Sequence, residues 1–226
     1  MKPASGTGVK ICGLSGRREA LHARDAGASY LGVVLVPESP RGITAEAARA
    51  VVKEALIPVV AVLVNPSVTE ASRAAEIAGA SVIQLHGEEP PETVARIRTE
   101  GPWKVWKALR VRDAGDVESG LRRYGEIVDG ILLDGWHPER RGGAGVPFSW
   151  EEVEEIRGRF PREILFVAAG GLEPGNVAEA VRRLRPDVVD VSSGVESRPG
   201  VKDPAAVEAF IRNATREERE REGEGR

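Results

Sequence analysis

The chain has 226 residues, 41% apolar and 30% charged, a balance that supports a sizeable packed core and argues against disorder. A formal net charge of −3 argues against a dedicated nucleic-acid surface and leaves any small anionic ligand to be met by a local positive site. A single cysteine, Cys12, excludes an intramolecular disulfide framework and a cysteine-cluster metal site, and fits a reducing compartment, so a cytoplasmic address is expected.

Met1 to Gly8 contains no apolar run of signal-peptide length, and no later stretch approaches the roughly 18 to 20 apolar residues that span a bilayer. The first β-branched run is Val9 to Cys12, followed by a helical pattern from Gly16 to Ala26. The run Tyr30 to Val36 precedes a helix from Thr44 to Ala55; Val59 to Val64 precedes one from Val68 to Ala78. Ser81 to Leu85 is paired with Pro91 to Thr99, and Lys104 to Leu109 with Asp113 to Tyr124. Gly130 to Leu133, Ile164 to Ala168 and Val188 to Val191 complete the strands, with helices at Trp150 to Arg157, Pro174 to Leu184 and Pro204 to Ile211. Ser67 and Thr44 stand where side-chain caps are wanted, Pro174 near a first helical turn, and Gly27 and Gly79 after helix ends.

Eight such units of roughly 25 residues, with no linker and no break in composition, predict one α/β domain closed as a (β/α)8 TIM barrel over Gly8 to Asn213. An open doubly wound sheet is the alternative, but its glycine-rich turn belongs after the first strand, and here the most glycine-rich turns come late. The tail from Ala214 to Arg226 is almost all charge and glycine beyond its first residues and is expected to be disordered.

Reactive groups of such a barrel cluster where the strands end at their C-terminal side. Strand one ends at Cys12, either an inert small core residue or, with a lowered pKa, a base or nucleophile at the rim. Strand six runs into Asp134, either a turn cap or, in an apolar neighbourhood that raises its pKa, a general acid. Strands seven and eight lead into Ala169-Gly170-Gly171 and Asp190-Val191-Ser192-Ser193-Gly194, loops whose amides can approach an anion closely, at the position where barrels often hold phosphate. Arg41, after strand two, is a surface residue or a bidentate partner for a substrate carboxylate. The segment Arg141 to Gly145 has the composition of a mobile loop beside Asp134. His22, His86 and His137 lack ligand-like spacing with carboxylates, so no metal is expected, and His86, ending strand four, suits a structural hydrogen bond.

Taken in order, these strand ends resemble those of the phosphoribosylanthranilate isomerase family. The likeness is carried by Val9-Lys10-Ile11-Cys12-Gly13-Leu14, Ser39-Pro40-Arg41, Gln84-Leu85-His86-Gly87, Leu132-Leu133-Asp134, Gly142-Gly143-Ala144-Gly145 with Phe148 and Trp150, Ala169-Gly170-Gly171-Leu172 with Pro174 and Asn176, and Asp190 to Glu196, spanning about Val9 to Ile211. The resemblance implies an Amadori rearrangement of N-(5'-phosphoribosyl)anthranilate in tryptophan biosynthesis, without external cofactor or metal. It implies Asp134 as general acid at the furanose oxygen, Cys12 as base at the sugar C2, Arg41 and Asp190 at the anthranilate end, and Gly170, Gly171, Ser192, Ser193 and Gly194 around the phosphate. The expected partner is the small phosphorylated substrate, with neither nucleic acid nor membrane, in a monomer or homodimer. Ala144, Gly42 and the Gly135-Trp136-His137-Pro138 stretch depart from the family pattern, which bears on loop closure and rate. A related isomerase of histidine biosynthesis would be expected to carry an aspartate where Cys12 stands, and a catalytically silent phosphate-binding barrel would have no use for the Cys12 and Asp134 pair.

Overall fold

In the computed structural model, which describes residues 6–135, 153–154 and 157–215, the β-branched runs become eight short parallel strands. They are β1 (Gly8–Ile11), β2 (Tyr30–Val34), β3 (Val59–Leu63), β4 (Val82–Leu85), β5 (Lys104–Val111), β6 (Gly130–Gly135), β7 (Leu165–Ala168) and β8 (Val188–Val191). Each pairs with the next, and β8 pairs with β1 from Gly8↔Val188 to Ile11↔Val191, closing the barrel. Closure removes every sheet edge and lets each strand bury both faces, which is why the runs are apolar throughout rather than alternating.

The helices wrapping the barrel are α1 (Arg17–Asp25), α2 (Ala45–Val52), α3 (Val68–Ala78), α4 (Pro91–Glu100), α5 (Ala114–Tyr124), α6 (Val177–Leu184) and α7 (Pro204–Ala214). Ser67 caps α3 in a reciprocal box with Glu70, Thr44 accepts from the Ala47 amide at the start of α2, and Gly79 ends α3 in the left-handed conformation. The start of the helix after Pro174 differs from expectation. α6 begins only at Val177, because Pro174 and the Asn176 side chain, which accepts from the Glu173 amide, shape a turn before it. α1 is capped by Ala26 in helical conformation, and Gly27 follows the helix end as expected, with a positive φ of 106°. Of the expected Trp150 to Arg157 helix, only Val153, Glu154 and Arg157 are described; the first two are helical and Arg157 opens a 3-10 turn that runs to Arg159, while the Arg141 to Gly145 segment and residues 216–226 of the tail lie outside the described residues.

Alternation along the strands sorts side chains into two cores. Outward-facing residues such as Ile11, Leu31, Ile83, Ile131 and Phe166 pack against the helices. Inward-facing Tyr30, Val60, Val82, Trp106, Leu132, Leu165 and Val188 fill the lower barrel, where Tyr30 meets Trp106 edge-on with ring centroids 5.1 Å apart. A short hairpin that the residue pattern does not announce, β9 (Glu196–Arg198) with β10 (Val201–Lys202), sits between β8 and α7.

Candidate active site

Two residues further along the same strands the inward positions change character. Above the apolar floor stand Lys10 and Cys12 from β1, Gln84 and His86 from β4, Arg110 from β5, Asp134 from β6, and Asp190 and Ser192 from β8. All but Lys10 line one cavity of about 580 Å³, whose walls also include Arg41, Gly170, Gly171 and Ser193. A cavity of this size falls within the roughly 300–1,000 Å³ that small-molecule sites occupy.

Cys12 is 7% exposed, one residue past the end of β1, and packs with Val34 and Val62. Burial pushes the thiol above its ordinary value, while the neighbouring Lys10 pulls it back and Asp190 adds to the rise; the lowered pKa considered from the sequence is not what the surroundings produce. Lys10 has no solvent exposure. Burial disfavours its charge, but the Asp190 carboxylate at 2.9 Å and Cys12 outweigh that cost and leave its pKa raised. Room for this cluster comes from Gly32 on β2, where a Cβ would stand 2.8 Å from the Cys12 Sγ and 3.0 Å from the Lys10 Cε.

Arg41 folds across Gly13, whose φ of +76° and missing side chain admit it; a Cβ there would lie 2.5 Å from the Arg41 Cδ. Its Nε and one terminal nitrogen donate bidentately to the Glu196 carboxylate at 2.6 and 2.7 Å. Glu196 also accepts from the buried Lys202 Nζ at 2.7 Å. Burial would raise the Glu196 carboxyl, but Arg41 and Lys202 win and hold it below its usual value. The guanidinium is thus fixed by the β9–β10 hairpin while still lining the cavity.

Asp134 lies within β6 rather than just after it, and its surroundings are polar, not the apolar neighbourhood expected. His86 Nε2 is 3.2 Å from one carboxylate oxygen, and Arg110 is its register partner on β5. Gly170, at φ +81°, lets the end of β7 close on it, since a Cβ there would meet the Asp134 Oδ1 at 2.9 Å. Gly171 is also at positive φ, 70°. Of the five expected phosphate-loop residues, Gly170, Gly171, Ser192 and Ser193 line the cavity. The position of Gly194 is dictated by packing, because a Cβ would meet the Leu172 carbonyl oxygen at 2.0 Å.

All the expected site residues but Gly194 therefore line one cavity. Lys10, Gln84, Arg110, Glu196 and Lys202 gather with them and were not singled out from the sequence. For Lys10 a signal existed, a lysine at an inward position of an otherwise apolar strand, and Glu196 ends the Asp190 to Glu196 segment that carries the family likeness; for Lys202 none did, because its place depends on a hairpin without a strong pattern.

A closed (β/α)8 barrel with a thiol, a carboxylate, a fixed guanidinium and glycine loops converging on its C-terminal mouth belongs to the class of barrel enzymes that act on small anionic substrates. The family model for N-(5'-phosphoribosyl)anthranilate isomerase matches residues 9–213. An N-(5'-phosphoribosyl)anthranilate isomerase of Erythrobacter litoralis is 41% identical over 92% of this chain and 98% of its own length. Monomers generated from the dimeric phosphoribosylanthranilate isomerase of Thermotoga maritima superpose with a TM-score of 0.82 at 38% identity, covering 92% of this chain and 98% of theirs. A phosphoribosylanthranilate isomerase in complex with reduced 1-(o-carboxyphenylamino)-1-deoxyribulose 5-phosphate gives a TM-score of 0.81 at 36% identity, with 92% and 98% covered. The chain belongs to the N-(5'-phosphoribosyl)anthranilate isomerase family.

Proposed function

We propose that the chain converts N-(5'-phosphoribosyl)anthranilate to 1-(2-carboxyphenylamino)-1-deoxyribulose 5-phosphate, with Asp134 as general acid and Cys12 as general base. The observation that carries these roles is that both groups line one cavity, Asp134 from β6 and Cys12 from β1, three strands apart around the ring. Asp134 protonates the furanose ring oxygen, the C1–O bond opens, and a Schiff base forms. The Cys12 thiolate takes the C2 proton, and the electron pair moves to give the enolamine. Protonation at C1 and loss of the 2-hydroxyl proton then give the ketoamine, so the isomerisation needs no redox partner. Lys10 supports the base by stabilising the thiolate that burial disfavours.

Arg41 holds the anthranilate carboxylate through the face of the guanidinium that Glu196 does not occupy, and Asp190 meets the same end. The partnerless, buried Oδ1 of Asp190 supports this, because an acceptor with no donor among the described residues suits the substrate amine. The loops at Gly170, Gly171, Ser192, Ser193 and Gly194 take the phosphate, leaving the ribose between acid and base. The lone cysteine supports a cytoplasmic setting, and no described helix is long and apolar enough to cross a membrane. A monomer or homodimer remains the assembly to expect. The test is turnover of freshly generated substrate, followed by its fluorescence, with wild type beside Cys12→Ala and Asp134→Asn; a folded wild type without turnover, or a variant with near-normal turnover, removes the assignment.

A further inference from the structure

The proton delivered by Asp134 must be replaced in every cycle, and the source available is the 2-hydroxyl, which loses its proton as the ketone forms. A lone carboxylate must both lose and regain that proton. Here Asp134 is not alone. His86 Nε2 lies 3.2 Å from its Oδ2, and His86 Nδ1 lies 3.1 Å from the Gln84 side-chain nitrogen. Gln84 is 1% exposed, and its Oε1 is buried without a partner among the described residues.

We infer that the acid is the hydrogen-bonded Asp134–His86 pair, in which His86 holds the proton that Asp134 delivers and Gln84 selects between its loaded and unloaded forms. It rests on Asp134 being the general acid. With the Gln84 amide donating to Nδ1, the imidazole is neutral, its one proton sits on Nε2, and Asp134 accepts it as a carboxylate. That pair has no proton to give. A half-turn of the amide brings Oε1 to Nδ1, where it accepts from an N–H. The pair then holds one more proton, either as imidazolium beside carboxylate or as neutral imidazole accepting from the carboxylic acid.

The proton shared between Nε2 and Asp134 goes to the ring oxygen as the C1–O bond breaks, leaving the imidazole neutral with its proton on Nδ1 toward Gln84 Oε1; the 2-hydroxyl proton returns to the shared position as that O–H electron pair forms the ketone. The C2 proton taken by Cys12 is returned to C1. Neither amide orientation satisfies both ends of Gln84, since one strands Oε1 and the other strands its N–H groups, so neither proton pattern is locked in place.

The backbone around the imidazole is held firmly. The His86 amide donates to the Leu63 carbonyl at 2.8 Å, and Lys107 Nζ donates to the flanking Leu85 and Gly87 carbonyls at 3.4 and 2.8 Å. Among the described residues, the charged groups that line the cavity with the pair are Arg110 from β5, Cys12 and Asp190 from the ends of β1 and β8, and Arg41 and Glu38 from the loop after β2. Lys107 and Glu89 neutralise each other at 3.0 Å.

His86 acts through Asp134 and is a positioning residue. The test is long-range nitrogen–proton correlation spectra of the imidazole rings of the full-length enzyme, which has three histidines, from about pH 5 to about pH 9, beside the pH dependence of kcat. His86 is expected to pass from a form protonated at Nδ1 to the Nε2–H tautomer as the pH rises, in step with the alkaline fall of kcat. In His86→Asn, kcat should drop about tenfold to hundredfold with KM within about threefold, and the alkaline fall should move to lower pH. Gln84→Glu places a permanent acceptor at Nδ1 and should move that fall up by about one pH unit. A ring fixed as the Nε2–H tautomer throughout, or a His86→Asn enzyme with unchanged kcat and pH profile, overturns the inference; the spectra of wild type decide it even if a variant fails to fold. Turnover retained by Asp134→Asn would instead sink the acid assignment on which it rests.

Discussion

The floor and the mouth of the barrel are built from the same strands two residues apart, yet they obey opposite rules. At the floor, Tyr30, Val60, Val82, Trp106, Leu132, Leu165 and Val188 are packed apolar side chains whose burial stabilises the closed sheet. At the mouth, Lys10, Gln84 and Asp190 are almost as buried but polar, and Gln84 and Asp190 each leave an oxygen without a partner. Burying such groups costs free energy that the floor and the helix layer must offset. Stability and chemistry are thus separated by a single step of the strand alternation.

Substitutions on either side sharpen or break that separation. The largest effect is expected at the mouth, where Cys12→Ala and Asp134→Asn should each lower kcat by about 10²- to 10⁴-fold while the melting midpoint stays close to wild type. A comparable loss of melting temperature would show that the mouth also carries the fold. At the floor, Leu132→Ala should destabilise by about 2–5 kcal/mol in urea unfolding, with kcat per folded molecule unchanged. A large fall in kcat there would join the two regions. Arg41→Ala removes charge-assisted bonds made equally in ground and transition states, so KM should rise about tenfold to hundredfold with kcat nearly constant. A pure kcat effect argues against carboxylate recognition.

The smallest expected effect is on pH dependence. Burial already raises the Cys12 thiol, so the base becomes available only as pH rises, and the acid-side limb of kcat/KM is set by that ionisation. Lys10→Met deletes the positive charge that favours the thiolate and should move the limb to higher pH, by about one unit. A limb that stays put, or moves down, means that the base is not this thiol.

Much of this architecture was legible in the residues. The strand runs were recognisable because both faces of a closed parallel sheet are apolar, and the caps at Ser67 and Thr44 because side-chain capping is local chemistry. Boundaries slipped where local and tertiary demands differ, as at Pro174, whose turn is closed by Asn176 before α6 begins. Cys12, Asp134, Arg41 and the late glycine loops were readable as strand-end residues, and their order along the chain carried the family resemblance.

What the sequence determined by itself is the set of parts, because periodicity, capping and strand-end chemistry are each properties of a few adjacent residues. Only the tertiary structure decided their partners. Lys10 meets Asp190, Arg41 meets Glu196, and His86 meets Asp134 across separations of 180, 155 and 48 residues. Those distances along the chain are crossed only when the strands assemble side by side, the first two by the pairing of β8 with β1 and the third through β5 between β4 and β6. The raised Cys12 thiol and the two-way Gln84 amide follow from that assembly.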